Sequence, residues 1–447
     1  MELETYSNKE QIKVVERFFD LPLDYSNPSN SEKIRVFARS LIPKNKAKTE
    51  EEEKNLPYLI LLRSGGPGFE VDLPTGSSGF AGEIHEQGYQ TLWLDPRGTG
   101  LSTPLSAETL PARLKSDQDI ADYVKHFRAD SIVKDCESIR QILIGDKPNE
   151  TDRKWTIMGQ SFGGFCAITY LSFHSEGLKE VFITGGLAPL GDNPDPNYEW
   201  TVRKVIGRNK VFYSKYPKDV QRVRDIAAYL EANPVVLPSG GNLTPRRFQE
   251  LGIDFGMAGG IDRVHQIVLR VANDLELFGK ISYKALQTIE RNQSFDGNPI
   301  YAILHEPIYC QGKAPRWSAK RAVYKVPQFL WAHVKELSAD EPLYFTGEMI
   351  FPEMFDDYAN LRPLKGAAEI LANDDSWGPL YDLKQLARNK VKISAATYVP
   401  FELSQQTAAQ IQNTEQYITN QLFHGGIRQD PKDVMKRLFE LSRREFA

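Results

Sequence analysis

The sequence predicts an α/β fold, in which a mostly parallel sheet carries helices on both faces and a large, mainly helical segment is inserted. Short, unbroken apolar runs alternate with helical segments from residue 57 onwards, which is typical of parallel strands buried on both faces. After Pro189 the periodicity becomes mainly helical, and a strand-like run returns at Lys390 to Tyr398. One sheet domain interrupted by an insertion is the simplest arrangement. We therefore expect the first part of the sheet domain at 1–190, the helical insertion at 191–389 and the second part at 390–447.

The chain opens with two β-rich stretches followed by a charged segment. Ile12 to Tyr25 and Lys33 to Pro43 have alternating or β-branched character and flank the turn-forming run SNPSN, so they predict a hairpin. The segment from Lys44 to Asn55 is almost entirely polar or charged. Because it has no apolar face, we expect a solvated loop there.

The remaining predicted elements of the sheet domain follow from apolar periodicity. The predicted parallel strands are Tyr58 to Leu62, Thr91 to Leu94, Trp155 to Met158 and Glu180 to Ile183, and a helix is predicted at Asp130 to Ile144. Beyond the insertion, helices are predicted at Ser404 to Gln412 and Pro431 to Arg444, with a short strand at Tyr417 to Thr419 between them.

Composition and charge argue against several classes of partner. The 447 residues carry 55 basic and 59 acidic side chains, a net charge of −4, which gives no electrostatic reason to expect nucleic acid or an anionic membrane surface. No apolar run approaches the roughly 18 residues of a spanning helix, and the polar first residues show no export signal. The three cysteines, Cys136, Cys166 and Cys310, lack the spacing of a zinc site or a disulfide framework. A reducing cytoplasm is the expected compartment.

The strongest chemical signal is a serine flanked by glycines between a predicted strand and an apolar helix. The run GQSFG (159–163) follows the strand Trp155 to Met158 and opens the helix Phe165 to Phe173. This is the context of a nucleophile elbow, in which small residues permit a sharp, strained turn that presents the serine. The alternative is a plain glycine-rich turn. We expect Ser161 to be the nucleophile.

A second glycine-rich stretch, SGGPG (64–68), directly follows the predicted strand Leu59 to Leu62. Backbone without side chains at a strand end can bring an N–H group close to a substrate oxygen, as an oxyanion hole requires. We expect the N–H groups of Gly66 and Phe162 to be the two donors, with Gly65 lying against the substrate. A tight turn without a ligand is the alternative interpretation.

A third motif, DPRGTGLS (95–102), closes the next predicted strand. An acidic and a basic residue two apart in a glycine-rich turn more often join loops by an ion pair than take part in bond breaking. We therefore interpret Asp95 and Arg97 as scaffold residues.

A serine nucleophile needs a base, and in this kind of fold the order along the chain is nucleophile, acid, histidine. Three of the seven histidines lie before the serine or on the helix that it opens, and three lie in the insertion. Only His424 follows the last predicted strand, in a loop with two glycines. We expect His424 to be the general base, and a surface histidine is the alternative.

These motifs together resemble the prolyl aminopeptidases (proline iminopeptidases), serine peptidases of the α/β-hydrolase fold, and specifically their longer subfamily. RSGGPG (63–68) is similar to the family's HGGPG, LDPRGTGLS (94–102) to its DxRGxGxS, GQSFGGF (159–165) to its elbow and FHGGIR (423–428) to its histidine loop. The insertion adds HEPIYCQG (305–312) and FTGEMIFPEMF (345–355). The resemblance covers nearly the whole chain.

The resemblance implies an enzyme that releases an amino-terminal proline, or a related residue, from small peptides with a free N-terminus. It implies that acidic side chains of the helical insertion hold the free α-ammonium group, and the matching positions here are Glu306 and Glu348. A carboxylate in a closed pocket pairs well with a cationic amine, and an internal peptide segment would leave it unpaired. No metal and no organic cofactor is expected.

Two departures from the family pattern stand out. Ser64 occupies the position where the family usually has histidine. The family also carries an aspartate just after the strand that returns from the insertion, whereas this chain reads ISAATYVPFE (393–402), without an aspartate and a few residues short. Glu402 is the first candidate for the catalytic acid and Asp192 the second.

Two other functions remain open at this point. A small-molecule esterase or amidase would use the same fold and catalytic residues, since fold does not fix the substrate. A catalytically silent binding protein would explain the missing aspartate. Dehalogenase and epoxide hydrolase chemistry is disfavoured because it needs a carboxylate where Ser161 stands.

Overall fold

The structure is a computed structural model that describes residues 1–8, 11–62, 65–72, 79–398 and 402–444. Within these residues, the strands are β1 Glu2–Ser7, β2 Ile12–Pro22, β3 Lys33–Pro43, β4 Tyr58–Leu62, β5 Gln90–Leu94, β6 Trp155–Gln160, β7 Leu178–Thr184, β8 Lys392–Tyr398 and β9 Thr414–Thr419. They form one sheet in the order β1-β2-β3-β5-β4-β6-β7-β8-β9. Pairing is antiparallel from β1 to β5 across β2 and β3, and parallel among β5, β4, β6, β7, β8 and β9.

The α-helices connect these strands and fill the insertion. They are α1 Glu50–Asn55, α2 Gly79–Glu86, α3 Asp117–Val124, α4 Ala129–Ile144, α5 Phe162–Phe173, α6 Asp195–Lys215, α7 Asp219–Ala232, α8 Pro245–Gln249, α9 Gly260–Phe278, α10 Tyr283–Arg291, α11 Pro299–Leu304, α12 Ser318–Val323, α13 Trp331–Val334, α14 Met354–Asp357, α15 Lys365–Asn373, α16 Leu383–Ala387, α17 Glu402–Ala408, α18 Gly426–Gln429 and α19 Pro431–Arg443. The predicted α/β class is confirmed. None of the helices in the described ranges is both long and apolar enough to cross a membrane.

The chain divides into two compact units. The sheet unit comprises Met1–Leu105, Asp122–Leu190 and Gly378–Ala447, and the helical unit comprises Ser106–Ala121 and Gly191–Trp377. The sheet unit contains all nine strands named above, and the helical unit contains α6 to α15.

The central strands of the sheet are apolar throughout, and their side chains are buried on both faces. Leu59 and Leu61 lie in one buried cluster with residues of α2 and α19, such as Phe439. Side chains alternate between the faces of a strand, and the intervening Ile60 is also fully buried. The register of the parallel strands then fixes the site, because Leu62 at the end of β4 pairs with Gly159 near the end of β6. The loops that follow these two strands therefore leave from the same edge of the sheet.

The prediction of a solvated loop over Lys44 to Asn55 is wrong in its second half, which forms helix α1. Thr49 caps the helix in a capping box with Glu52, which satisfies backbone N–H groups at its start. Glu53 is buried and forms ion pairs with Lys13 and Lys44. The N-terminal cap and the ion pairs of Glu53 thus stabilise α1, which has no apolar face.

Arg97 is a scaffold residue, as predicted, and its partner is Asp135 of α4. Arg97 donates to both carboxylate oxygens of Asp135, with nitrogen–oxygen distances of 2.6 and 2.7 Å, and the two side chains are 0% and 1% exposed. Arg97 also donates to the carbonyl oxygens of Pro22, Leu23 and His126. One guanidinium group therefore joins the end of β2, the loop after β5 and helix α4.

Candidate active site

Ser161 occupies a strained turn between β6 and α5. Its φ of 58° and ψ of −120° lie in a region that residues other than glycine rarely adopt. The Ser161 N–H donates to the Thr184 carbonyl (3.1 Å), and the Gly164 N–H donates to the Ser161 carbonyl (2.8 Å). The turn is thus held from β7 and from α5, and it places the serine at the N-terminus of α5.

The glycines of the elbow are required by close backbone approach. A Cβ at Gly163 would overlap the carbonyl oxygen of Leu62, and a Cβ at Gly159 would overlap the carbonyl oxygen of Gly163. Any larger residue would push α5 away from the sheet or break the turn. The expected strand, turn and helix context of the serine is therefore present.

His424 lies against the serine, although the two residues are 263 positions apart. Its Nε2 is 2.9 Å from the Ser161 Oγ, which is hydrogen-bond distance for a base and the nucleophile that it would activate. His424 is half-buried in the loop between β9 and α18. The structure thus brings together the two residues expected to be the nucleophile and the general base.

Gly185 belongs to this site and was missed in the sequence. It follows β7 with a φ of +85°, and a Cβ at this position would lie 3.2 Å from Cε1 of His424 and 3.4 Å from the Ser161 nitrogen. The histidine ring therefore packs against the bare backbone of Gly185. The available signal was the Gly185–Gly186 pair, which lies one residue beyond the predicted strand Glu180 to Ile183.

We expect Gly185→Ala to lower kcat for any substrate of this site by about 10-fold. The His424 ring would have to move by a few tenths of an ångström, and a misplacement of about 1 Å in a reacting group can cost about 100-fold. Gly186→Ala, which also introduces a Cβ at a positive φ but next to Ser404, is the matched control for backbone strain. Steady-state kinetics of both variants check this. Equal kcat values for the two variants would show that contact with His424 is not the cause.

The expected oxyanion donors follow two neighbouring strands, β4 and β6, which end at the same edge of the sheet. Phe162 is the first residue of α5 and is 1% exposed, and N–H groups in the first turn of a helix have no partner within the helix. Gly66 has a φ of +108°, and a Cβ there would lie 2.7 Å from the Phe69 ring. The position of Ser64, where the family has histidine, lies outside the described residues. The roles of Gly65, Gly66 and Phe162 stay predictions.

The region expected to supply the catalytic acid is only partly described. Strand β8 ends at Tyr398, residues 399–401 lie outside the description, and Glu402 opens α17 as a half-buried side chain. Asp192, the second candidate, belongs to the helical unit and forms an ion pair with Lys313 at 2.8 Å. That pairing gives Asp192 a structural role, so Glu402 remains the first candidate.

The two glutamates that the resemblance assigns to ammonium binding lie among shared tyrosines of the helical unit. Glu306 is 3% exposed and accepts the backbone N–H groups of Ser318 (3.0 Å) and Ala319 (2.9 Å) at the start of α12. Glu348 is exposed and accepts the Tyr301 hydroxyl at 2.5 Å. Burial and the nearby carboxylates of Glu306 and Glu348 raise the Tyr198 pKa well above its ordinary value. Both glutamates therefore raise the pKa of the same buried tyrosine.

Two buried glutamates of the helical unit are expected to make its stability depend on pH. Burial raises the pKa of both Glu250 and Glu306 to about 8, whereas a glutamate in the unfolded chain titrates near its ordinary value of 4.5. The folded state therefore keeps protons that the unfolded state has lost, so the free energy of unfolding falls as pH rises from about 4.5 to 8. Each group contributes at most about 1.4 kcal/mol per pH unit. Denaturant unfolding at pH 5 and 8 measures this fall, which Glu250→Gln and Glu306→Gln together should reduce.

The exposed Glu276 of α9 is the control, since Glu276→Gln should leave the pH dependence unchanged. A double variant that keeps the full fall in stability between pH 5 and 8 would show that other groups cause it.

One set of potential metal ligands occurs in the described part of the sheet unit. Ligand atoms of Glu137, His174 and Glu176 lie within 4.8 Å of one another. Glu137, however, pairs with Arg140 at 2.7 Å and accepts the Tyr170 hydroxyl. An ion pair and a hydrogen bond therefore already account for this carboxylate.

Comparison with known proteins shows which family the chain resembles. Residues 58–216 match the family model of the alpha/beta hydrolase fold. The chain is 40% identical over 431 residues to the proline iminopeptidase of Aeromonas sobria, covering 95% of this chain and 96% of that protein. It is 41% identical over 428 residues to a proline iminopeptidase of Aspergillus aculeatus, covering 95% of this chain and 92% of that protein.

Among solved structures, the proline iminopeptidase of Mycobacterium smegmatis matches at 12% identity and a TM-score of 0.36, covering 95% of this chain and 98% of that one. At that level the likeness supports no conclusion of its own. Family membership follows from the two relatives at about 40% identity, each of which is matched over nearly its whole length. The chain belongs to the proline iminopeptidase family of α/β-hydrolase-fold enzymes.

Proposed function

We propose that the protein is a serine aminopeptidase that releases an N-terminal proline, or a similar residue, from small peptides. The observation that carries the proposal is the 2.9 Å contact between Ser161 Oγ and His424 Nε2 on a strained elbow. The names of the two relatives support the substrate class. Neither nucleic acid nor a membrane is part of the proposal. The buried thiols of Cys136, Cys166 and Cys310, none of which forms a disulfide in the described structure, fit a reducing cytoplasm.

The proposed reaction is acyl transfer through Ser161. His424 takes the hydroxyl proton as Ser161 attacks the carbonyl carbon of the first residue, and the N–H groups of Gly66 and Phe162 stabilise the oxyanion. His424 then gives the proton to the leaving amine, and an ester between Ser161 and the first residue remains. Water activated by His424 hydrolyses this ester and restores the serine. These steps need neither a metal nor an organic cofactor.

Recognition of the free N-terminus is assigned to Glu348 and Glu306 of the helical unit. Glu348 is exposed with one oxygen held by Tyr301, which leaves the carboxylate able to accept from a cationic amine. Glu306 is buried, and its pKa is raised to about 8 by that burial, although the N–H groups of Ser318 and Ala319 oppose the shift. It can pair with an ammonium ion only in its ionised form. We therefore give Glu348 the larger share of the binding.

We assign the role of catalytic acid to Glu402. The acid holds the histidine in the correct tautomer, and its loss costs about 10⁴-fold in kcat in a related catalytic triad. Glu402→Gln should therefore lower kcat by about 10³-fold or more while the protein stays folded. Glu415→Gln, at a half-buried position in β9, is the matched control and should retain full activity. Unchanged kcat in Glu402→Gln would show that another group, or none, supports His424.

A catalytically silent peptide-binding scaffold is the second candidate function. It is favoured by residues 393–402, which contain no aspartate where the family has one. Such a protein would keep ammonium binding without turnover. The contact between Ser161 and His424 weighs against it, since nothing in a binding role requires that distance.

The substrate class is tested by hydrolysis of three compounds with the purified protein. These are a proline-linked chromogenic amide, the same amide acetylated on its nitrogen, and a simple chromogenic acetate ester. We expect turnover of the first and a loss of at least about 100-fold on acetylation, because the carboxylates then lose their cationic partner. Equal turnover of both amides, or preference for the ester, would favour a small-molecule esterase or amidase instead.

A further inference from the structure

We propose that Tyr301 is a positioning residue, which holds the carboxylate of Glu348 in one orientation for ammonium binding. The inference rests on the proposed function and assigns a role within it to a side chain that does not itself carry the charge. The Tyr301 hydroxyl donates to the Oε1 of Glu348 at 2.5 Å. A hydrogen bond to a charged acceptor at this distance is among the stronger ones in proteins.

The phenol of Tyr301 is itself fixed by its surroundings. Tyr301 is 4% exposed, and its ring stacks on Phe295 with centroids 4.7 Å apart and planes 18° from parallel. His305 packs edge-on at 5.3 Å. Burial and the Glu348 carboxylate raise the Tyr301 pKa well above its ordinary value, so the hydroxyl keeps its proton and remains a donor. A rigid donor therefore faces a side chain that is exposed to solvent.

The backbone that leads to Glu348 is irregular, and two buried amide side chains fix it. Asn209 of α6 donates to the Phe345 carbonyl and accepts the Phe345 N–H, each at 2.8 Å. The side chain of Gln249 in α8 donates to the Tyr344 carbonyl at 2.7 Å, and the backbone carbonyl of Gln249 accepts the Thr346 N–H at 2.9 Å. Asn209 and Gln249 are 0% and 2% exposed. The chain is thus held up to two residues before Glu348, without a helix or strand.

The remaining freedom lies in the Glu348 side chain. An exposed glutamate samples several rotamers, and ordering a long side chain on binding costs conformational entropy. A bond from Tyr301 to one oxygen removes that freedom before a ligand arrives and leaves the second oxygen to accept from an ammonium group. Placing a binding group by a second, buried residue is the general way in which proteins preorganise a site.

The test is calorimetric titration of prolinamide into Ser161→Ala protein, which cannot consume the ligand through the serine. Tyr301→Phe added to that protein keeps the ring and removes the donor, and we expect the Kd to rise about 10-fold. Tyr358→Phe is the matched control, because it removes a bond at 2.6 Å from a buried phenol to the carboxyl group of Glu250. It should leave the Kd within about twofold. In active protein the same change should raise KM and leave kcat nearly unaltered.

If Tyr301 acts through Glu348, the effects of the two substitutions on the Kd should not add, whereas a merely structural role would leave them independent. In a protein that already carries Glu348→Gln, Tyr301→Phe should weaken prolinamide binding no further. The inference is overturned if Tyr301→Phe leaves the Kd unchanged or weakens binding equally with and without the Glu348 carboxylate. If Glu348→Gln abolishes binding while Tyr301→Phe has no effect, only the positioning role fails. If the parent protein does not bind prolinamide, the proposed ammonium site fails and the role of Tyr301 fails with it.

Discussion

Replacing His424 by alanine is expected to lower kcat for the proline-linked amide by about 10⁴-fold or more. In a well-studied serine protease, removal of the catalytic histidine alone costs about 2 × 10⁶ in kcat, because the serine loses the base that accepts its proton. Here the Nε2 of His424 lies 2.9 Å from the Ser161 Oγ. Both the rate of turnover and the rate at which a fluorophosphonate labels Ser161 should fall together.

His265 of the helical unit, which pairs with Asp219 at 2.8 Å, provides the control. His265→Ala should reduce neither rate by more than a few-fold. If His424→Ala protein labels Ser161 as fast as the parent protein does, the serine is not activated by this histidine.

Replacing Arg97 by methionine is expected to lower the free energy of unfolding by about 3 to 5 kcal/mol, the usual cost of removing one partner of a buried ion pair. The change leaves the Asp135 carboxylate in the interior without the two bonds that it accepts from Arg97. It also leaves three backbone carbonyl groups without the guanidinium donor. Denaturant unfolding followed by circular dichroism measures the loss.

Lys46 provides the comparison, because its ion pair with Glu86 at 2.9 Å is exposed, with side chains 30% and 64% accessible. Exposed pairs contribute about 0 to 1 kcal/mol, so Lys46→Met should have little effect. A loss below about 1 kcal/mol in Arg97→Met would contradict the scaffold role that both the motif and the structure give this residue.

The contact between Ser161 and His424 was predictable from the sequence because each residue lies in a local pattern with a physical cause. Ser161 follows an unbroken apolar strand and precedes an apolar helix. A Cβ on either flanking glycine, Gly159 or Gly163, would overlap neighbouring backbone atoms. His424 was singled out by chain order, since it alone of the histidines follows the last predicted strand. The parallel strands were predictable because burial on both faces requires unbroken apolar runs.

Other features depend on contacts between distant segments, which a sequence pattern does not show. Gly185 matters because a histidine 239 positions later packs on it. Arg97 could be interpreted as a scaffold residue, but its partner Asp135 lies on a helix and carries no motif. Helix α1 was missed because its stability comes from the Thr49 cap and from ion pairs of Glu53 rather than from an apolar face.

The measurement that tests the central claim most directly is the rate of proline release from a proline-linked chromogenic amide by the purified protein beside Ser161→Ala. We predict serine-dependent turnover, with the Ser161→Ala rate lower by about 10³-fold or more. A wild-type rate no higher than that of Ser161→Ala, in protein shown by circular dichroism to be folded, would contradict the claim that this chain is a working aminopeptidase.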